Sequence, residues 1–143
     1  MRKKRRSIFW EYFFLFLFGG TAYCLLELGW RHWTHWSMFL AGGLLFCIIG
    51  LENQKIRWEW SLLSQALVAG LTITGLEFLF GCIFNLWLRL QVWDYSKQPY
   101  NLLGQICLIW ALAWCVVGLA AVILDDFLRW KLFGDEKPHY RFL

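Results

Sequence analysis

Charged residues are absent from long parts of this 143-residue sequence. Residues 101–124 contain none, and residues 33–51 contain only His35 among the acidic and basic residue types. About 20 apolar residues suffice to cross a bilayer as a helix, so both stretches predict membrane-spanning helices. Composition argues against a water-soluble domain, because 59% hydrophobic and 20% aromatic residues would leave large apolar patches exposed.

Nucleotide-binding and hydrolase motifs are also missing. The sequence contains no G-x-x-x-x-G-K-[ST] loop, so it cannot cradle the phosphates of ATP as P-loop ATPases do. It contains neither G-x-S-x-G nor H-E-x-x-H, which leaves little basis for an enzyme. ATP-driven activity would therefore require a separate ATPase subunit.

Metal-binding and disulfide patterns are weak. The cysteines form no C-x-x-C pair and all fall inside apolar stretches, which is typical of small packing residues. They are Cys24, Cys47, Cys82, Cys107 and Cys115. His32 and His35 are spaced to share a helix face, but a metal site needs a third or fourth ligand, so no metal and no cofactor is predicted. The two histidines could instead join nearby acids in a proton relay.

Basic residues are concentrated near the start of the chain, where residues 2–6 hold five of the 14 Lys and Arg. Such a cluster beside an apolar segment is typical of an anchor on the anionic cytoplasmic membrane surface, more than of a nucleic-acid-binding arm. A secretory signal would begin similarly, but the apolar run is long and no A-x-A-like cleavage site follows it. We therefore expect a retained first helix, a lipid bilayer as partner, and no nucleic acid.

Four apolar segments predict an all-α, polytopic membrane protein. The predicted transmembrane helices cover residues 7–28, 33–51, 60–88 and 101–124. Eleven Lys and Arg lie on the side of the termini and three on the other side, which by the positive-inside rule places both termini in the cytoplasm. A juxtamembrane helix at the inner interface is predicted up to residue 133, because Asp125 and Arg129 are spaced for an ion pair and Gly134 can cap it. Residues 1–134 then form the transmembrane domain and residues 135–143 a cytoplasmic tail.

The first and third spans align without gaps at an offset of 50 residues. The identical pairs are Trp10 and Trp60, Leu17 and Leu67, Gly20 and Gly70, Leu26 and Leu76, and Glu27 and Glu77. They suggest a two-hairpin pseudo-repeat of the parallel type found in some transporters. Glycines recur along all four spans and predict close helix contacts, because small residues set helix packing in lipid.

Two glutamates, Glu27 and Glu77, fall inside these apolar segments. An acid in the hydrocarbon costs about 2.5–3.5 kcal/mol on insertion scales, so both are expected to be buried against partners or water. Glu27 can pair with Arg31 one turn later, while Glu77, Gly81 and Asn85 share a helix face predicted to point inward. A rise of about 1.5 Å per residue places both acids roughly 25 Å above the inner interface, towards the outer leaflet. Alternatively, both acids only hold the helices together by interhelical hydrogen bonds.

The polar segment at residues 93–101 is the most distinctive local sequence. Asp94 and Ser96 suit a turn, and Asn101 is expected to cap the fourth helix. Gln105 then faces the outer end of the bundle. The segment predicts an ordered outer loop over the helices, acting either as a structural element or as a ligand contact. The residues predicted to bind a substrate are Glu27, Glu77, Asn85, Asp94, Tyr95, Asn101 and Gln105.

Several segments together resemble one family of small bacterial membrane proteins. They are THWSMFLAGG in the second span, WDYSKQPYNLLGQICL leading into the fourth, and LDDFLRWKLFGDEKPHY after it. With a glutamate in the third span, this combination resembles the ABC-transporter type IV permeases over residues 34–140. The resemblance implies a multi-pass protein of the bacterial cytoplasmic membrane.

Three functions follow as alternatives from the sequence. The first is a permease-like transport component, with its acidic and polar residues near the outer leaflet and a separate ATPase docked on a cytoplasmic segment. Four short helices enclose little space, so a homo-oligomer is expected if a substrate path exists. The second is a non-transporting scaffold or accessory subunit. The third is a membrane enzyme acting on lipid-linked substrates, with an acid as base and a histidine as its partner.

Overall fold

Four long helices account for the apolar segments in the computed structural model, which describes residues 7–143 apart from the side chain of Arg57. They are α1 (Ile8–Arg31), α2 (Trp36–Ile56), α3 (Leu62–Gly81) and α4 (Leu108–Leu128). All four are long and apolar enough to cross a bilayer, so the predicted all-α membrane fold is confirmed. The basic cluster at residues 2–6 lies outside the described residues.

Short irregular elements extend or join the helices. A π-helical turn continues α3 over Cys82–Trp87, another continues α4 over Arg129–Phe133, and a 3-10 turn at Arg57–Glu59 leads from α2 towards α3. Two short strands, β1 (Asn101–Leu102) and β2 (Ile106–Cys107), pair antiparallel before α4. The end of the bundle that carries residues 88–107 is named the loop end, and the opposite end, with the start of α1 and residues 134–143, the terminal end.

Two helix hairpins form the bundle. α1 packs along α2 and α3 along α4, while α2 joins the hairpins by packing against α3 and α4. Glycines allow the closest contacts, as predicted. A Cβ atom at Gly20 would lie 2.6 Å from the backbone oxygen of Phe39 in α2, and one at Gly70 would lie 2.7 Å from the Cα atom of Cys115 in α4.

Four of the five matched pairs of the suggested repeat have matching environments, whereas Leu26 is exposed and Leu76 is half-buried. Gly20 and Gly70 each lie against the second helix of their own hairpin. Glu27 and Glu77 are both buried. Two further pairs are exposed at both positions, Trp10 with Trp60 and Leu17 with Leu67. The two-hairpin pseudo-repeat stays a prediction.

The fourth helix begins later than predicted. It starts at Leu108 rather than at residue 101, and the prediction that Asn101 caps it is wrong. The Asn101 side chain is instead used inside the preceding loop, where its Nδ2 donates to the backbone oxygen of Gln98 at 2.8 Å and its Oδ1 accepts from the Gly104 N–H at 3.0 Å. Gly104 has φ +69°, which favours glycine and turns the chain from β1 into β2.

The segment after residue 124 continues α4 directly as far as Phe133, and its place at the inner membrane interface stays a prediction. The predicted ion pair between Asp125 and Arg129 is confirmed, with 2.9 Å between Oδ2 and Nε. Gly134 ends the segment with φ +77°, which confirms the predicted cap. The chain then returns to the bundle, where the backbone oxygen of Arg141 accepts from the N–H of Leu62 at 2.6 Å.

Gly70→Ala should lower the free energy of unfolding by about 1–3 kcal/mol, because the new methyl group would overlap the α4 backbone at Cys115. Gly75 provides a matched control on the same helix, since nothing lies within 4 Å of the Cβ position there. Gly75→Ala should be neutral or stabilise by about 0.5–1 kcal/mol. Thermal unfolding in mild detergent measures both variants, and equal unfolding temperatures would contradict the close packing of α3 on α4.

Candidate functional site

Glu27 is buried near the end of α1, and both of its carboxylate oxygens are occupied. Arg31 donates from Nη1 to Oε1 at 3.1 Å, which confirms the predicted helical ion pair. The hydroxyl of Thr34, between α1 and α2, donates to Oε2 at 2.7 Å. Arg31 also donates from Nη2 to the backbone oxygen of Val92 at 2.7 Å, so the ion pair ties α1 to the loop that follows α3.

Glu77 is buried in α3 and receives hydrogen bonds from two neutral donors. Nε1 of Trp114 in α4 donates to Oε2 at 2.7 Å, and the hydroxyl of Tyr95 in the loop donates to Oε1 at 3.0 Å. Burial and the neighbouring Glu77 carboxylate raise the pKa of Tyr95, so its phenol stays protonated and able to donate. The carboxylate therefore joins α3, α4 and the loop. The inward orientation predicted for Glu77 and Gly81 is confirmed, since both are buried.

A cavity of about 780 Å³ lies at the loop end between α1, α4 and residues 93–98. Six aromatic residues line this cavity, which is named the aromatic cavity: Tyr23, Trp30, Trp93, Tyr95, Trp110 and Trp114. Trp110 connects the rings, with centroids 5.8 Å from Trp30, 6.2 Å from Tyr95 and 6.0 Å from Trp114. Large apolar surfaces with a few polar groups are typical of sites for small molecules.

The charged residues that line the aromatic cavity are Glu27, Arg31 and Asp94. The Asp94 carboxylate is exposed and accepts from the backbone N–H and the hydroxyl of Ser96, at 2.8 and 3.0 Å. These bonds lower the pKa of Asp94, so it is ionised at neutral pH. Because Arg31 already neutralises Glu27, the lining residues carry one uncompensated negative charge on Asp94, which the nearby Lys97, outside the lining, partly offsets.

The seven residues predicted to bind a substrate occupy three different places. Glu27, Asp94 and Tyr95 line the aromatic cavity. Glu77 lies behind the cavity wall, to which it is connected by hydrogen bonds. The remaining three residues support the loop, namely Asn85, Asn101 and Gln105.

Asn85 and Gln105 fix the beginning of the loop. Asn85 donates from Nδ2 to Oε1 of Gln105 at 2.8 Å and accepts from the N–H of Val92 at 2.7 Å. The backbone oxygen of Gln105 accepts from Nε1 of Trp93 at 2.9 Å. Val92 and Trp93 are buried as a result, and Trp93 is held as one wall of the aromatic cavity.

α1 and α4 touch at both ends and leave space between them in the middle. Trp30 meets Trp110 at the loop end, and the ring of Phe14 lies 5.8 Å from that of Phe133 at the terminal end. Between these contacts is a space of about 130 Å³ lined mainly by apolar side chains of all four helices, here named the apolar cleft. It adjoins the aromatic cavity, because the two share Tyr23, Leu26, Trp114 and Val117.

A polar cluster surrounds the predicted Asp125–Arg129 pair at the terminal end, and its other members were not predicted from the sequence. Arg129 is buried, its Nε donates to both oxygens of Asp125 at 2.9 and 3.0 Å, and its Nη1 donates to Glu11 of α1. This contact links α1 to the end of α4. The sequence does contain a signal, because two acids near the C-terminus of a helix are unfavourable unless they are paired.

Asp126 forms the second half of this cluster. It accepts from Nδ2 of Asn53 in α2 at 2.8 Å and from the hydroxyl of Tyr140 at 2.8 Å. Burial and the bond to Asp126 raise the pKa of Tyr140, so its phenol remains a donor. The arginine cluster, as these residues are named, consists of Glu11, Asn53, Asp125, Asp126, Arg129 and Tyr140.

His32 and His35 do not lie on a common helix. His32 follows the end of α1 with φ 56°, whereas His35 precedes α2 and its Nδ1 lies 2.7 Å from the hydroxyl of Ser37. The described part of the chain contains no group of three or more His, Cys, Asp or Glu arranged to hold a metal ion. All five cysteines are free thiols.

The helices and the cavity between them define a polytopic α-helical membrane protein with polar groups buried in its spans. The chain belongs to the family described as "Putative ABC-transporter type IV", whose family model matches residues 5–131. The resemblance noted from the sequence is thereby confirmed. Comparisons with curated proteins and with solved structures find no match.

Arg129→Met should lower the free energy of unfolding by about 3–5 kcal/mol, because it leaves the buried Asp125 and the half-buried Glu11 without their cation. Lys131→Met is the matched control, since Lys131 is exposed and lies 3.8 Å from the ring of Trp130. Lys131→Met should lower the free energy of unfolding by no more than about 1 kcal/mol. Denaturation of both variants in bicelles tests this, and an Arg129 variant as stable as the control would show that the cluster contributes little.

Proposed function

We propose that this protein is the permease-like membrane component of a transporter and binds a solute in the aromatic cavity. The observation that carries the proposal is the position of Glu77. Its two hydrogen-bond donors, Tyr95 and Trp114, are themselves walls of the cavity. Ionisable side chains buried in membrane spans commonly mark the paths of substrates or ions. A change at this carboxylate would alter the walls that contact the solute.

The loop end faces the exterior in this proposal, and both termini are cytoplasmic. The excess of Lys and Arg at the terminal end supports this orientation. The aromatic cavity then lies towards the outer leaflet of the bacterial cytoplasmic membrane, where its exposed Asp94 can meet a solute first. The solute is received from the outside of the cell.

A separate ATPase would dock at the terminal end, because the chain has no P-loop of its own. Two segments lie together there. The ring of His139 lies 4.2 Å from that of Trp58, and the backbone of Arg141 bonds that of Leu62. Residues 58–61 and 135–143 therefore present one combined surface. The arginine cluster connects this surface to α1 and α4, and a homo-oligomer would supply any path that one chain is too small to enclose.

A non-transporting scaffold or accessory subunit is the second candidate. It is favoured by the fact that both oxygens of Glu27 and of Glu77 are already hydrogen-bonded within the chain. In that case the acids serve only to hold the hairpins and the loop together, as polar contacts in membranes often do. The two candidates differ in what happens when a carboxylate is replaced without breaking the fold.

Glu77→Gln should abolish or strongly reduce solute flux while the protein remains folded and inserted. The amide has no charge and only one oxygen, so when that oxygen accepts from Trp114 its NH2 faces Tyr95, whose hydroxyl must change from donor to acceptor. Glu52→Gln is the matched control, since Glu52 is an acid in α2 that binds Thr72 and lies outside the aromatic cavity. Untargeted mass spectrometry of cells and medium would compare the solutes moved by each variant with those moved by an empty-vector strain.

Membrane levels and unfolding temperatures of both variants must be measured alongside flux. Reduced stability of Glu77→Gln without any solute difference between wild type and empty vector would favour the scaffold. Full flux through Glu77→Gln at normal membrane levels would reject Glu77 as part of a transport site.

A photo-crosslinking amino acid at Glu136 should capture an ATPase subunit in native membranes, because this exposed position lies on the proposed docking surface. The same amino acid at Tyr100, which is 83% exposed at the loop end, is the matched control and should capture none. Mass spectrometry identifies the cross-linked protein. Capture from Tyr100 alone would reverse the proposed orientation, and capture from neither position would argue against an ATPase partner.

A further inference from the structure

We infer that the aromatic cavity and the apolar cleft together bind an organic cation with a single apolar tail. The ammonium head would occupy the aromatic cavity and the tail the apolar cleft. This inference rests on the proposed function, because it names the class of solute that the same site would take.

The aromatic walls suit the head of such a ligand. Six Trp and Tyr rings line one cavity of about 780 Å³, and Trp110 contacts three of the others. Cations are attracted to the faces of aromatic rings, most strongly to Trp, and cages of such rings are used to recognise quaternary ammonium groups. Tyr95 and Trp114 are held at their polar edges by Glu77, which fixes the planes of two walls before any ligand arrives.

The charges in the lining select against anions. Arg31 is the only cation among the lining residues, and it is occupied by Glu27 and by the backbone oxygen of Val92. Asp94 is exposed and ionised, and the nearby Lys97 acts on it only through space and does not line the cavity. A positive ligand would therefore find a carboxylate, whereas a phosphate or carboxylate group would meet a like charge. For the same reason a free amphiphilic cation fits better than a zwitterionic lipid headgroup.

The apolar cleft provides the place for the tail. It shares Tyr23, Leu26, Trp114 and Val117 with the aromatic cavity, so one molecule can extend from one space into the other. The contacts of Trp30 with Trp110 and of Phe14 with Phe133 bound the cleft at its two ends. An alkyl chain in this space would replace the solvent or lipid contacts of the helices with protein contacts.

Binding of short probes to the protein in nanodiscs tests this inference, with empty nanodiscs as the blank. Hexyltrimethylammonium should bind at least about tenfold more tightly than tetramethylammonium, since burial of two of its additional methylenes suffices for that difference. Hexyl sulfate and hexylphosphocholine should bind much more weakly. Isothermal titration calorimetry measures all four, and tryptophan fluorescence reports whether the rings are involved.

Variants separate the head site from the tail site. Asp94→Asn should lower the affinity for both cations by about threefold to tenfold. Glu136→Gln, which removes an exposed acid elsewhere, should leave both affinities unchanged. Ala120→Phe should fill the apolar cleft and remove the advantage of the hexyl chain. Val116→Phe is its control, because Val116 lies on the same helix, is 69% exposed and does not line the cleft.

Equal binding of hexyl sulfate and hexyltrimethylammonium to the wild type would overturn the inference without reliance on any variant. If hexylphosphocholine bound as tightly as hexyltrimethylammonium, the free cation would be rejected as the ligand in favour of a zwitterionic lipid headgroup. Unchanged affinities in Asp94→Asn or Ala120→Phe would also overturn it. If the protein binds the cations but moves no solute, the proposed transport function is rejected and the cation site stands. If flux depends on Glu77 but no cation binds, the cation is rejected as the ligand and the transport function stands.

Discussion

The hydrogen bonds to the Glu77 carboxylate are the interaction on which the aromatic cavity depends. They connect α3 to Trp114 in α4 and to Tyr95 in the loop, and both of these residues are cavity walls. An unsatisfied polar group in the hydrocarbon costs several kcal/mol. Any arrangement in which both Tyr95 and Trp114 no longer donate to the carboxylate is therefore strongly unfavourable. The loop is thus positioned by a buried acid and not by its own sequence alone.

The cavity and the cleft exist because each hairpin is tightly packed and the two hairpins are not. Glycine allows α1 to approach the backbone of α2, and a glycine at the matched position allows α3 to approach α4. Between the hairpins, the main contact is made by α2, which packs against α3 and α4. α1 and α4 meet through aromatic rings at the loop end and through the arginine cluster and Phe14 at the terminal end. Space therefore remains midway along these two helices.

The sequence predicted the features that depend on composition and on spacing within one helix. The lengths of the apolar segments predicted the four helices. A four-residue spacing predicted the ion pairs of Glu27 with Arg31 and of Asp125 with Arg129. It also showed that Glu77 needed partners. It could not identify those partners, because Tyr95 and Trp114 lie 18 and 37 residues away and meet the acid only through the tertiary fold.

The errors of prediction have physical causes that are visible in single residues. Asn101 is a favourable helix cap by residue type, but its amide satisfies the tight turn that ends at Gly104, so α4 begins only after β2. The region around Asp125 resembled a surface segment because it is charged. A charged segment can be buried when every charge finds a partner, and here Glu11 from the first helix completes the set.

The two membrane glutamates are satisfied by different kinds of donor, and this difference supports a role for the cavity between them. Glu27 receives a guanidinium, which balances its charge. The hydrogen bonds to Glu77 come from an indole and a phenol, which lower the cost of burial but supply no positive charge. A cation held against the rings of Tyr95 and Trp114 would lie on the far side of those donors from Glu77. The same two residues would then contact the ligand with their faces and the acid with their polar edges.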